Sequence, residues 1–581
     1  NLDLMTSWLG YTPGNPYAKE NADPRKSFKS RIHFEPEIRE NWKKGVEKLL
    51  CRKNQYTGTR LIDDPVFAMA VAYNEQEYGF WRPFPTSRIL PLWHEFLKQR
   101  YGTLEKLKQA WGEKARDYTS FEQIPCFELT SRVYENDDTA LFLRKTETDT
   151  LRWYEKTMRE LGYPGPVAGY NCGKNQYYNM IRKNSPFIAM NAYHAHPSKW
   201  IQPGSYISQK SAIEERAKLL RDFVAVRQVG KPFIITEYNL VFWNQYRYEQ
   251  AFVMGAYSAF QNLDALTCHG TPVSFKKEKR ILSFGIFMDP IAKATEFLTY
   301  FLFMRGDITP SSPSLRIQIH EKDVFRKNGL RGGLPTELSL AALTAGLSIE
   351  CLGDETKGGK LSPGEAVFAI DKTSSILVSN AGFSSTLDNP HASSEHVLAY
   401  LRKAKILSAE NRSDGRKLFE SSTGELLVDT SRNYMQINTP RFQGICGEAG
   451  TTAKLNDLVI NSMTRKGTLS LVSIDENESI RNASRMMLVY ATNALNNGMI
   501  FSNSNMNTLQ YVGNSPTLLE QGSFTVTIHN RNAEKLRLYP LDLAGNRLKK
   551  ISPVRISGKQ AVFQIDTAKD GASVFFEIQA E

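Results

Sequence analysis

Two short apolar runs in this chain each end abruptly in a carboxylate. Val66 to Glu75 reads VFAMAVAYNE, and Lys231 to Asn239 reads KPFIITEYN with Glu237 at its turn. Runs this short, partly β-branched and flanked by proline read as strands buried on both faces of a parallel sheet. The C-terminal end of such a strand is where a (β/α)8 barrel keeps its chemistry. Two carboxylates on different strands are the minimum machinery for breaking a glycosidic bond.

The rest of the first half fits that frame. Six strands are expected at 1–5, 66–74, 167–171, 187–193, 233–237 and 265–269. Helical patterns separate them at Glu37–Cys51, Arg88–Trp111, Leu141–Leu161, Ser211–Arg227, Arg247–Gln261 and Ile291–Met304. Strands alternating with helices of this length imply a parallel sheet. A closed barrel needs eight strands, so the expectation is an α/β (β/α)8 barrel over residues 1–308 whose first two strands precede Asn1. An open sheet is the alternative. A mixed α/β domain is expected over 309–515, including a helical run at Ser484–Asn493. An antiparallel β-sandwich is expected over 516–581, where period-two strands alternate with Gly and Asn turns.

Composition narrows the function classes. The chain has 581 residues and a net charge of +12, but Lys and Arg are dispersed, and no zinc finger, basic zipper or RNA-binding motif is present. Nucleic acid is therefore not the expected partner. No apolar run is long enough to span a membrane. The six cysteines form no CxxC pair, which speaks against a zinc ribbon or a disulfide scaffold. The charge suits an anionic carbohydrate, with Arg82, Lys174, Arg182 and Lys199 as the basic groups expected near strand ends. Opening on Asn1 rather than Met, the chain is expected to have lost an N-terminal stretch, and a secreted or periplasmic bacterial setting is favoured.

Here a resemblance becomes specific. Asn74-Glu75 at one strand end, followed by Glu237 at another, resembles clan A of the glycoside hydrolases. There the first Glu ends strand four as acid/base and the second ends strand seven as nucleophile. Those ordinals match the six-strand count if two strands precede it. NQYTG at Asn54–Gly58, WHEFL at Trp93–Leu97, RYGTL at Arg100–Leu104 and AWG at Ala110–Gly112 resemble family 42 β-galactosidases and their relatives. FLFMRGD at Phe301–Asp307 resembles the barrel exit of such enzymes.

The resemblance implies a retaining glycoside hydrolase acting on a β-linked carbohydrate, with Glu75 as acid/base and Glu237 as nucleophile. It implies no cofactor and no metal, since two carboxylates carry the reaction. Asn74 would hold a sugar hydroxyl beside the reacting carbon. Tyr193, in the NAYHAHP segment, would donate to the nucleophile. Asn171, His269 and Asp3 would line the pocket from neighbouring strand ends, and Trp81 and Trp243 would stack on a sugar face. Relatives of this domain organisation imply a homo-oligomer, a trimer among them. Two other classes stay open: a carbohydrate-binding barrel without catalysis, which the two intact carboxylates oppose, and a basic polyanion-binding protein.

Overall fold

The structure is a computed structural model that describes residues 2–3, 31–75, 86–125, 137–312, 314–325, 332–361, 365–369 and 393–581. Six parallel strands follow one another in chain order. They are β1 (Leu2–Asp3), β2 (Ala70–Tyr73), β3 (Val167–Tyr170), β4 (Ile188–His194), β5 (Phe233–Leu240) and β6 (Ala265–Cys268). β1, β2 and β3 pair side by side, as do β4, β5 and β6. The Asn191 N–H donates to the Asn171 carbonyl at 2.5 Å, which joins the end of β3 to β4.

The arc curls. Val71, Ala168, Ala189, Ile234 and Ala265, one from each of β2 to β6, share one interior cluster. Their neighbours Ala70, Ala72 and Val167 face one outer core, and Ile188, Met190, Phe233 and Ile235 face another. That alternation is the pleat of a curved sheet wrapped by helices.

Helices fill the connections. α1 (Pro36–Leu50) carries Ile38, Trp42, Val46 and Leu50 at four-residue spacing, and all four are buried. Burial of each is worth roughly 1.5–3 kcal/mol, and Pro36 sits at the helix start, where its missing N–H costs nothing. α2 (Thr86–Tyr101), α3 (Leu104–Trp111) and α4 (Asp137–Glu160) join β2 to β3. At Gly169 of β3 a Cβ would lie 1.7 Å from Leu151 Cδ2, so only glycine lets α4 approach that closely. α5 (Gln176–Ile181) leads to β4 and α6 (Lys218–Val224) to β5. The helix expected from Ser211 begins only at Lys218. Arg216 and Ala217 take left-handed backbone just before it, and Glu249 accepts the Ala212 and Ile213 N–H groups. No helix of the described residues is long and apolar enough to cross a membrane.

A second parallel sheet follows, made of β7 (Ser314–His320), β8 (Gly346–Leu352) and β9 (Glu365–Ala369) with β7 in the middle. It docks on the chain just before β5, where Ile349 N–H donates to Arg227 O and Val229 N–H to Ile349 O.

The antiparallel sandwich is larger than expected. An eight-stranded sheet is built from 418–420, 426–429, 434–438, 442–447, 467–473, 485–491, 536–541 and 575–580. It faces a five-stranded sheet from 453–454, 458–463, 523–529, 555–557 and 560–566. The expected boundary between 515 and 516 therefore falls inside one domain that begins at Leu418. The expected helix at Ser484–Asn493 is the strand Arg485–Ala491. The physical reason is burial on both faces. Leu488 packs into the sandwich and Val489 into the core shared with the parallel-sheet half, so the run lost the alternation that marks a half-exposed strand.

Candidate active site

The carboxylates sit at the same edge of the curved sheet. Glu75 follows β2 directly, with a left-handed φ of 48°. That region is uncommon for a side chain other than glycine and recurs at functional sites. Its N–H donates to Asn171 Oδ1 at 2.7 Å, which pins the turn. Glu237 lies within β5, and a register shift changes its direction. Met190 pairs with Ile235, yet Asn191 pairs with Glu237, so Thr236 is a one-residue bulge. Simple alternation from the inward Ile234 would turn Glu237 outward; the bulge places it opposite Asn191 instead.

An amide relay runs from Thr236, next to Glu237 in the chain, to Glu75. Thr236 Oγ1 donates to Asn191 Oδ1 at 2.6 Å. Asn191 Nδ2 lies 3.1 Å from Asn74 Oδ1 and 3.4 Å from Glu75 Oε1. Asn171 Nδ2 donates to Asn74 Oδ1 at 3.0 Å. Two amides thus hold the Asn74 oxygen, which orients its NH2 group away from them.

Glu237 is held differently. The Tyr193 hydroxyl donates to Glu237 Oε2, and His269 Nδ1 lies 3.4 Å from the same oxygen. Burial and the Glu237 carboxylate push the Tyr193 phenol well above its ordinary range, with Glu75 adding to the same effect. The phenol therefore stays a donor. One hydroxyl senses both carboxylates.

Asn74, Tyr193 and His269 each lie against one of the two carboxylates or the amides that bridge toward them. Four other expectations change. Asn171 is fully buried and acts on Asn74 and Glu75 from behind, so it does not line the pocket. Trp243 is fully buried, with its indole N–H donating to Met506 O at 2.9 Å, so it cannot stack on a sugar. It fixes the loop after β5 to the segment around Met506. Arg182 is buried under the sheet, bonded to the Cys172 and Gly173 carbonyls. Lys174 pairs with Asp222 at 3.3 Å. Trp81 and Arg82 lie outside the described residues. Asp3 lies on β1 in register with Val71.

Composition and spacing missed an aromatic wall. Phe284 is 5.2 Å from Tyr193 and 5.1 Å from His269, and Trp200 is 5.2 Å from Phe284, all edge to face. Trp200 is 57% exposed. Its place in the loop after β4 was the available signal. The Trp93, Arg100 and Trp111 motifs proved structural. Trp93 is fully buried, while Tyr101 and Trp111 donate to Asp138 Oδ2 at 2.6 Å and Arg100 pairs with its other oxygen.

With this geometry in place, kinship can be stated. Residues 18–262, less than half of the chain, match the glycoside hydrolase family 42 described as Beta-galactosidase. The chain resembles the family 42 glycoside hydrolases of clan A. Residues 18–262 carry the sequence of a domain of that family. A stretch of 38 residues is 50% identical to Beta-galactosidase YesZ of Bacillus subtilis (strain 168), spanning 6% of each protein. The β-galactosidase from Rahnella sp. R3 is similar over 92% of this chain and 82% of its own, at 12% identity and a TM-score of 0.40. That from Bacillus circulans sp. alkalophilus is similar over 94% and 83%, at 12% identity and 0.39. Superpositions this loose add nothing to the strand order above.

Proposed function

We propose that this chain is a retaining glycoside hydrolase acting on a β-linked carbohydrate of the β-galactoside type by double displacement. The observation that carries the proposal is the convergence of Glu75 and Glu237 at one edge of the parallel sheet, bridged by Asn191 and Tyr193. Glu237 attacks the anomeric carbon while Glu75 protonates the departing oxygen. A covalent glycosyl-enzyme forms, and Glu75 then takes a proton from water as it attacks. The Tyr193 phenol and the His269 ring hold the attacking carboxylate in one orientation, and Asn74 offers its NH2 to a sugar hydroxyl. Retention requires the carboxyl groups about 5–5.5 Å apart. A (β/α)8 barrel and a homo-oligomeric assembly belong to the same proposal.

The test is the anomer first released. Proton NMR during hydrolysis of an aryl β-galactoside is expected to show the β-anomer before mutarotation. Initial release of the α-anomer would overturn the mechanism. Absence of hydrolysis across aryl β-glycosides would overturn the activity.

A further inference from the structure

The connection after β6 leaves the catalytic edge through His269 and returns at Phe284. Its base is tied down. Thr271 N–H donates to Phe284 O at 2.7 Å, Ser515 N–H donates to Lys279 O at 2.6 Å, and Asn496 brackets Ile281 with two hydrogen bonds. Its tip carries Phe275, fully exposed, and Val273, 63% exposed. Directly after Phe275 come Lys276, Lys277, Lys279 and Arg280, with Glu278 as the one carboxylate among them. None of the four cations has a carboxylate within ion-pair distance among the described residues.

Single exposed apolar side chains are ordinary on protein surfaces, so the position of this one decides its meaning. Phe275 belongs to the connection whose two ends, His269 and Phe284, stand in the aromatic wall beside the reacting carboxylate: Tyr193 against Glu237, Phe284 against both Tyr193 and His269, Trp200 against Phe284. Sugar rings present C–H faces that pack on aromatic rings. Four unpaired cations next to such rings add a preference for substituents bearing negative oxygen atoms.

We infer that this loop is an outer subsite for an anionic glycan. The substrate is then a β-linked oligosaccharide or polysaccharide carrying sulfate esters or uronate carboxylates, and it extends from Glu237 past Trp200 to Lys276–Arg280. This rests on the glycosidase proposal for the same site and adds the substrate class. Of the described residues expected to supply positive charge, Arg182 is buried and Lys174 is paired, while Lys199 is exposed beside Trp200, and this loop adds four further cations.

The experiment uses the full chain and the variant K276S/K277S/K279S/R280S. kcat/KM is measured on a sulfated β-galactan oligosaccharide, on its desulfated counterpart and on a uronate-bearing β-linked oligosaccharide. The charged-to-desulfated ratio is expected to fall about tenfold in the variant, the combined weight of four individually weak exposed contacts. The same ratio should fall in the unmodified protein between about 0.05 and about 0.5 M salt. Whichever charged substrate shows the loss identifies the anion as sulfate or carboxylate. An unchanged ratio for both overturns the inference, as does parallel loss on charged and desulfated substrates. Calorimetry on Glu237→Gln separates the two proposals. Salt-sensitive binding of a charged oligosaccharide by Glu237→Gln, together with no hydrolysis of any substrate by the unmodified protein, would sink the hydrolase and keep the subsite. Binding of heparin with no binding of any short charged oligosaccharide would mark a polyanion surface and sink the subsite.

Discussion

Glu75 and Glu237 end up at one edge of one sheet, yet they are held by opposite kinds of group. Two amides reach Glu75: the Asn171 side chain accepts its N–H at 2.7 Å, and Asn191 Nδ2 lies 3.4 Å from its carboxylate. Around Glu237 the neighbours are a phenol and an imidazole, both on the same oxygen. Donors aimed at a carboxylate stabilise its charge and fix its direction, which suits a resident nucleophile. A carboxylate whose backbone is pinned by an amide is held in place at its strand end, which suits proton transfer to a fixed point. The difference teaches that roles here follow from the partners, since the two side chains are chemically identical.

Removing each head group gives the sharpest contrast. Glu237→Ala is expected to cut turnover by on the order of 10^4 or more on every substrate, because no glycosyl-enzyme can form. Glu75→Ala is expected to lose about 10^2–10^4-fold on substrates with poor leaving groups, and far less on dinitrophenyl glycosides that need no protonation. Steady-state kinetics on a leaving-group series checks both. A flat leaving-group dependence in Glu75→Ala would erase the distinction.

The partners come next. Tyr193→Phe should cost roughly 10–100-fold in kcat, the weight of one hydrogen bond to a charged group. Because that phenol is pushed upward, it stays protonated through the working range. The alkaline limb of the wild-type pH profile should therefore survive in Tyr193→Phe. Loss of that limb would make the phenol a titrating participant. Asn191→Ala leaves Thr236 only the more distant Met190 carbonyl, at 3.2 Å, as acceptor and Asn74 with one donor fewer. It is expected to lower stability by about 1–3 kcal/mol by urea titration and to impair substrates that need Glu75 more than activated ones.

The smallest effect lies outside the site. Glu249 is fully buried beneath the sandwich, and burial lifts its carboxyl from 4.5 to about 8. Ser211 Oγ faces Glu249 Oε1 at 2.7 Å and Asn433 Oδ1 at 2.6 Å. One hydroxyl proton cannot serve two acceptors, so the proton sits on Glu249 and Ser211 donates to Asn433. A raised folded-state value means stability is fully present below about 4.5 and declines as pH rises toward about 8. Glu249→Gln should flatten that decline in thermal melts across the window. An unaltered slope would remove Glu249 as its cause.

Much of this was legible in the sequence, for physical reasons. β2 to β5 lie on short, partly β-branched apolar runs that stop at polar residues, and Asn74, both carboxylates and Tyr193 lie at or near the ends of those runs. What was not legible depended on contacts far along the chain. The bulge at Thr236 is a pairing irregularity that no residue type announces. Trp243 resembled a sugar platform until Met506, 263 positions away, claimed its indole. The strand Arg485–Ala491 resembled a helix because cores on both sides erased its alternation. Arg182 resembled a surface charge, but its guanidinium satisfies carbonyls under the sheet.

The central claim is that Glu237 becomes covalently glycosylated while Glu75 does not. Incubation with an activated 2-deoxy-2-fluoro-β-galactoside, which slows the second step, followed by peptide mass spectrometry, tests it directly. The account predicts one fluorosugar per chain on the peptide carrying Glu237. A label on the Glu75 peptide, or no label from a reagent that the enzyme turns over with inversion, would contradict it.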